Sequence, residues 1–211
     1  FLYGGIEDLH NPHLLKDGDK LVDILVDKIK AQKHIRVIGD YDIDGVMATY
    51  ILKTALTRVG ARVSMQIPDR IHDGYGLNIS LIEVALAEET DTILTCDNGI
   101  AAIDEIAYAK TLGIDFIVCD HHVQDEVLPP AVAILNPKLH GSSYPYPHLS
   151  GCGVGFKLMQ AFAKDNGIEF SQLIPYLDLV AVSIASDIVP IMGENRILAF
   201  HGLRQINNNP S

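Results

Sequence analysis

The sequence contains no tryptophan and only three cysteines, Cys96, Cys119 and Cys152, among 211 residues. An odd cysteine number without Cys-x-x-Cys spacing argues against a disulfide framework and against a thiolate zinc site. A reducing cytoplasm is the expected compartment. No apolar run approaches the roughly 20 residues of a membrane-spanning helix, so no membrane partner is expected. A signal-type leader and an initiator methionine are also missing, the chain opening on Phe1, and it reads as a piece of a longer protein. Positive charge is scarce: 16 Lys and Arg stand against 27 Asp and Glu, a formal charge of −11. That balance is unusual for a phosphate-binding surface, which is normally basic. Internal repeats and low-complexity segments are absent as well.

What is present is a 48% hydrophobic content arranged in alternating short and long segments. Aliphatic runs at 35–39, 62–67, 92–96, 114–119 and 131–135 have strand length and composition. Between them, segments 19–31, 45–59, 77–89 and 100–112 have helical spacing, several closed by glycine (Gly60, Gly113). This rhythm predicts α/β architecture: a parallel sheet of about five strands flanked by helices. Residues 1–18 read as a lead-in and 19–140 as the α/β core. A Pro-, Tyr- and Ser-rich break follows. Residues 141–211 then form a helical C-terminal segment, with helices expected over 154–166, 170–186 and 195–206 and a loop from Asn207.

The strand ends are unusual. One apolar run leads into Asp40-Tyr41-Asp42-Ile43-Asp44-Gly45, another into Asp97-Asn98-Gly99, and a third into Asp120-His121-His122. An Asx turn or a helix cap explains one such acid. Three carboxylates in one loop repel one another unless a cation lies among them. In parallel sheets ligands bind at the carboxyl ends of strands, where all these groups fall. A ligand set of carboxylate and imidazole without thiolate favours Mn²⁺ or Mg²⁺, with Mn²⁺ ahead because a histidine takes part. There are more candidate ligands than one ion needs, which suggests a two-metal site suited to phosphoester hydrolysis. Adjacent His121 and His122 diverge, so one is expected to be a ligand and the other a general acid or phosphate contact. Asp120 is either an orienting carboxylate or a ligand. Two bound dications would bring the −11 charge only to about −7. Cys96 and Cys119, one residue before an acid, read as packing residues.

Together these motifs resemble the DHH phosphoesterase family, and within it the bacterial single-strand-specific 5′→3′ exodeoxyribonucleases. The likeness includes Gly39–Val46, Pro68-Asp69-Arg70 with Gly74-Tyr75-Gly76-Leu77, Cys96–Gly99 and the Asp120-His121-His122 triplet. It continues through Leu149–Val154, Leu177–Ala181, Ala185–Pro190 and Asn195-Arg196. The resemblance implies that Asp42, Asp44, Asp97, His121 and Asp187 bind two divalent cations, Asp97 bridging, with Asp40 as a further ligand or support. It implies a catalytic pair of His122, facing the scissile phosphate, and Asp120. Substrate contacts are implied at Arg70, Tyr75, Ser150, Gly151, Asn195 and Arg196. The glycines at 151, 153 and 155 could also present backbone N–H groups to an anion. The implied substrate is single-stranded DNA, and the implied partners include single-strand-binding protein and a helicase. Members of the family carry a second domain that holds the strand; this chain has the look of the catalytic half. Two other readings remain: a family member acting on small substrates such as short oligoribonucleotides, phosphoadenosine phosphate or cyclic dinucleotides, or a scaffold without chemistry.

Overall fold

Five aliphatic runs form the strands: β1 (His34–Gly39), β2 (Arg62–Gln66), β3 (Thr92–Cys96), β4 (Asp115–Cys119) and β5 (Ala133–Leu135). In the computed structural model, which describes residues 4–72, 74 and 76–211, they pair in parallel in the order β2-β1-β3-β4-β5. The helices are α1 (Gly18–Lys30), α2 (Ile43–Arg58), α3 (Ile79–Ala87), α4 (Ile103–Thr111), α5 (Gly151–Asp165), α6 (Leu177–Ser186) and α7 (Gly193–Asn208).

Successive strand side chains point to opposite faces, and here each face has its own core. Ile35, Val37, Leu94, Cys96, Ile117 and Cys119 pack with residues of α1, α2, α5, α6 and α7. Ile38, Ile93, Phe116 and Val118 pack with residues of α3 and α4. Covering both faces explains why β1, β3, β4 and β5 are buried almost throughout, whereas the edge strand β2 is largely exposed. The segment after residue 141 therefore shares the first core with the sheet.

Helix starts differ from the sequence expectations because side-chain caps set them. Asp42 accepts from the Gly45 N–H at 2.9 Å, starting α2 two residues early, and Asn78 accepts from Leu81 N–H at 3.0 Å, starting α3 two residues late. The expected helix over 154–166 begins at Gly151, because Ser150 caps it through the Gly153 N–H. The expected helix over 170–186 is broken: two 3-10 turns, Phe170–Gln172 and Ile174–Tyr176, precede α6, with Pro175 in the second. The expected loop from Asn207 is still helical at Asn207 and Asn208, whose side chains donate to the Leu203 and Arg204 carbonyls.

A buried polar knot ties the C-terminal helices to the lead-in. Lys157 on α5 and Glu194 on α7 are fully buried and paired at 2.8 Å. Glu194 also accepts from the Tyr144 hydroxyl and the His10 N–H. Among the described residues no helix is long and apolar enough to cross a membrane.

Candidate metal centre

The strand order reverses between β1 and β3, and such a switch point leaves a crevice at the carboxyl ends of the strands. Asp40 follows β1 and Asp97 follows β3, so the two acids flank that crevice. Asp120 and His121 follow β4, one strand further along.

The first loop divides its three carboxylates by environment. Asp40 is buried and accepts from the Tyr41 N–H at 2.7 Å, and burial raises its pKa above the ordinary carboxylate range. Asp42 is exposed and caps α2. Asp44 lies in the first turn of α2, fully buried and held by three donors. The Gly151 N–H reaches Oδ2 at 2.7 Å, while the Cys152 N–H at 2.8 Å and the Ser183 hydroxyl at 2.6 Å reach Oδ1. The amino end of α5 is thus already aimed at an anion, and the anion is Asp44. Gly151 permits this approach: a Cβ there would lie 2.6 Å from both Cβ and Oδ1 of Asp97.

Asp97 and His121 face each other across the crevice. Asp97 sits in the left-handed region at φ 62°, uncommon for a residue other than glycine, which aims its side chain inward from the strand end. The His121 ring bonds through Nδ1 to the Leu149 carbonyl at 3.0 Å. A carbonyl can only accept, so Nδ1 carries the proton and neutral Nε2 presents a lone pair. That atom lies 3.0 Å from Asp97 Oδ1, 3.6 Å from Asp187 Oδ2 and 3.9 Å from Asp44 Oδ2. Asp97 Oδ1, His121 Nε2 and Asp187 Oδ2 are all buried with no hydrogen-bond partner. Burial, followed by the Asp44 charge, pushes the Asp97 carboxyl up to about 10; burial also raises Asp187 and lowers His121. Acceptors aimed at one another are costly to bury without a cation or proton between them. The donor set fits a hard or borderline divalent cation. Three overlapping triads of potential ligand atoms, Asp40/Asp42/Asp97, Asp97/His121/His122 and Asp44/His121/Asp187, each lie within 4.8 Å.

Asp120 is fully engaged. Its Oδ2 accepts from the Ile100 N–H at 2.9 Å. Its Oδ1 accepts from the His121 N–H at 2.7 Å and the His122 ring at 2.8 Å. Burial opposes its ionisation, but His122 and these N–H groups outweigh that and hold it below the ordinary range. In return Asp120 raises His122 to about 9. His122 is half-exposed and borders a cleft of about 350 Å³ lined also by Leu77, Gly99, Ile100, Asp120 and Val123.

The residues expected to contact substrate fall in different places. Arg70 is exposed, its guanidinium 5.4 Å from the centre of the Tyr41 ring beside Asp40. Tyr75 lies outside the described residues. Arg196 is half-buried on α7. Ser150, Gly151 and Asn195, expected to contact substrate, are fully buried and bonded within the chain. Ser150 caps α5 and shares a 2.7 Å hydrogen bond with Ser183, Gly151 serves Asp44, and Asn195 bonds to backbone carbonyls. The α5 glycines likewise do not offer their amides to an external anion. Cys96 and Cys119 are buried packing residues whose thiols burial pushes far up. Two polar supports carried no motif in the sequence. Ser183 lies one helical turn before Asp187, the only signal it offered. Asn136 donates to the His122 carbonyl at 2.9 Å.

This is an α/β fold with a carboxylate–imidazole centre at its switch point. The chain belongs to the DHH family: the family's N-terminal domain matches residues 34–184. It is 37% identical over 209 residues to the single-stranded-DNA-specific exonuclease RecJ of Haemophilus influenzae, covering 95% of this chain and 36% of that protein. With RecJ of Bacillus subtilis it shares 37% identity over 206 residues, 98% of this chain and 25% of that protein. It therefore spans about a third or less of the length of these relatives. A crystal structure of exonuclease RecJ bound to manganese superposes with a TM-score of 0.82 at 34% identity, over 91% of this chain and 48% of the other. RecJ of Thermus thermophilus with Mn²⁺ gives 0.79 at 32%, over 91% and 27%.

Proposed function

We propose that the chain is the catalytic region of a RecJ-type exonuclease, hydrolysing phosphodiester bonds from the 5′ end of single-stranded DNA with two divalent cations, Mn²⁺ ahead of Mg²⁺. The observation that carries this reading is that Asp97 Oδ1 and Asp187 Oδ2, both buried and unbonded, lie 3.0 and 3.6 Å from the likewise unbonded His121 Nε2. Asp40, Asp42 and Asp97 would hold one ion, and Asp44, His121 and Asp187 the other, with Asp97 bridging. Bound there, such ions offset charge on phosphoryl oxygens and make water a nucleophile at neutral pH. The manganese-bound relatives support the choice of ion.

The chain's own groups do the positioning and the proton work. Asp120 holds His122 through Nδ1, leaving Nε2–H for a non-bridging phosphate oxygen or the leaving oxygen. Leu149 holds His121 in the tautomer a cation needs. The α5 amides hold the Asp44 carboxyl in place, and Arg70 at the rim offers a contact for the strand. The −11 charge of this chain supports a strand-holding surface contributed from outside it.

Replacing Asp97 with alanine removes the shared ligand. Release of 5′-terminal nucleotides from a labelled single strand should be abolished and bound manganese should fall. A variant with unchanged rate and manganese content would sink the assignment. The cleft beside His122 and the −11 charge favour a second reading, hydrolysis of small nucleotides. Preference for dinucleotides over long single strands would select it.

A further inference from the structure

Asn195 is completely buried near the start of α7, yet its side chain is only partly satisfied. Nδ2 donates to the His148 carbonyl at 2.6 Å and to the Pro190 carbonyl at 3.1 Å, while Oδ1 has no partner. The amide cannot be turned over, because both neighbours are acceptors. A buried amide with an orphaned oxygen is a poor choice if stability alone is at stake.

The two segments it joins lead directly to the site. His148 precedes Leu149, whose carbonyl fixes the His121 ring. Pro190 lies three residues after Asp187, in the connection between α6 and α7, and also accepts from the Tyr146 hydroxyl at 2.9 Å. One carboxamide therefore clamps the strap that orients His121 to the loop that carries Asp187. Gly193, at φ 49°, leaves room for this arrangement, since a Cβ there would lie 2.7 Å from the Tyr146 ring.

We propose that Asn195 is a positioning residue for the metal centre, setting the His121 ring orientation through His148–Leu149 and the Asp187 carboxylate through Pro190. This rests on the proposed metal-binding role of both residues. Its test has one arm that needs no metal.

In the metal-free chain, long-range ¹H–¹⁵N spectra report which His121 nitrogen carries the proton. The wild type should show the Nδ1–H form, and Asn195→Ala a mixture of both forms. With Mn²⁺ added, isothermal titration should show affinity falling about ten- to hundredfold in Asn195→Ala, the usual range for a lost ligand support. Leu198→Val, an equally buried change on the same helix, should lower the melting temperature but keep both the tautomer and the affinity. A wild-type tautomer and Mn²⁺ affinity in Asn195→Ala would overturn the proposal. So would a matching loss in Leu198→Val, which would reduce the effect to general destabilisation. Unchanged Mn²⁺ affinity in Asp97→Ala would instead refute the metal-centre reading, and the tautomer arm would still decide whether Asn195 orients His121.

Discussion

A tight backbone approach at the centre gives a sharp prediction. Gly151 N–H holds Asp44 at 2.7 Å, while the Gly151 Cα lies so close to Asp97 that an added Cβ would meet its Cβ and Oδ1 at 2.6 Å. Ordinary contact begins at 3.4 Å, so Gly151→Ala requires about 0.8 Å of relative movement between α5 and the end of β3. Neither side yields easily. Asp97 is fixed by its left-handed backbone, and α5 is anchored by Lys157–Glu194 and by its amides on Asp44. Overpacking of this size costs about 1–3 kcal/mol, or about 2–4 °C of melting temperature per kcal/mol for a chain of this length. A displacement near 1 Å at reacting groups costs about a hundredfold in rate. The expected result is a folded protein, slightly less stable, with activity on a labelled single strand reduced about a hundredfold at saturating Mn²⁺. The assay pairs a melting curve with initial rates across a manganese titration. Full activity and unchanged manganese affinity in Gly151→Ala would refute the claim that α5 and Asp97 are held in fixed register.

Two further predictions concern stability. Lys157→Met leaves Glu194 buried without its cation and should cost about 3–5 kcal/mol in urea unfolding. Adding Glu194→Gln should restore much of that, and strictly additive losses would argue against the pairing. At the opposite end of the sheet, Lys28 bridges Asp91 and, at 2.7 Å, Asp115. Burial opposes ionisation of Asp91, but Lys28, Thr92 and Lys33 outweigh it and lower its pKa. Its contribution is therefore complete above the ordinary carboxylate pKa of about 4 and is lost as pH falls through the lower folded value. Lys28→Met should remove about 0.5–1 kcal/mol of stability at neutral pH and flatten the decline below about pH 4. Parallel acid limbs for both proteins would contradict this.

The sheet was legible in the sequence because both faces of its inner strands are covered, which makes β3 and β4 largely apolar runs set off from their polar ends. The cation-seeking character of Asp97 and of the Asp40–Asp44 loop was legible for the same reason, since charge stands out after an apolar run. Helix ends were less so, because single caps at Asp42, Asn78 and Ser150 set them by one hydrogen bond each. Ser150, Gly151 and Asn195 were visible as features but not as to purpose. Ser150 pairs with a hydroxyl 33 positions away, Gly151 with a carboxylate 107 positions away and Asn195 with backbone carbonyls, and a carbonyl has no letter in a sequence. Asp187 sits in an apolar helical run that pattern alone explains as a helix end. Only folding α6 over the sheet brings it to within 3.6 Å of His121.

The spread of the centre along the chain has a consequence for how the protein matures. Asp44 is gripped by donors from residues 151, 152 and 183, and the facing oxygens come from residues 97 and 187. No contiguous stretch contains the site, and until α5 and α6 have docked on the sheet the acids of the first loop have nothing to converge with. Assembly of the proposed metal centre is thereby tied to completion of the fold: a half-made or partly unfolded chain has the acids but no assembled centre. For a protein proposed to digest DNA, that is a built-in safeguard.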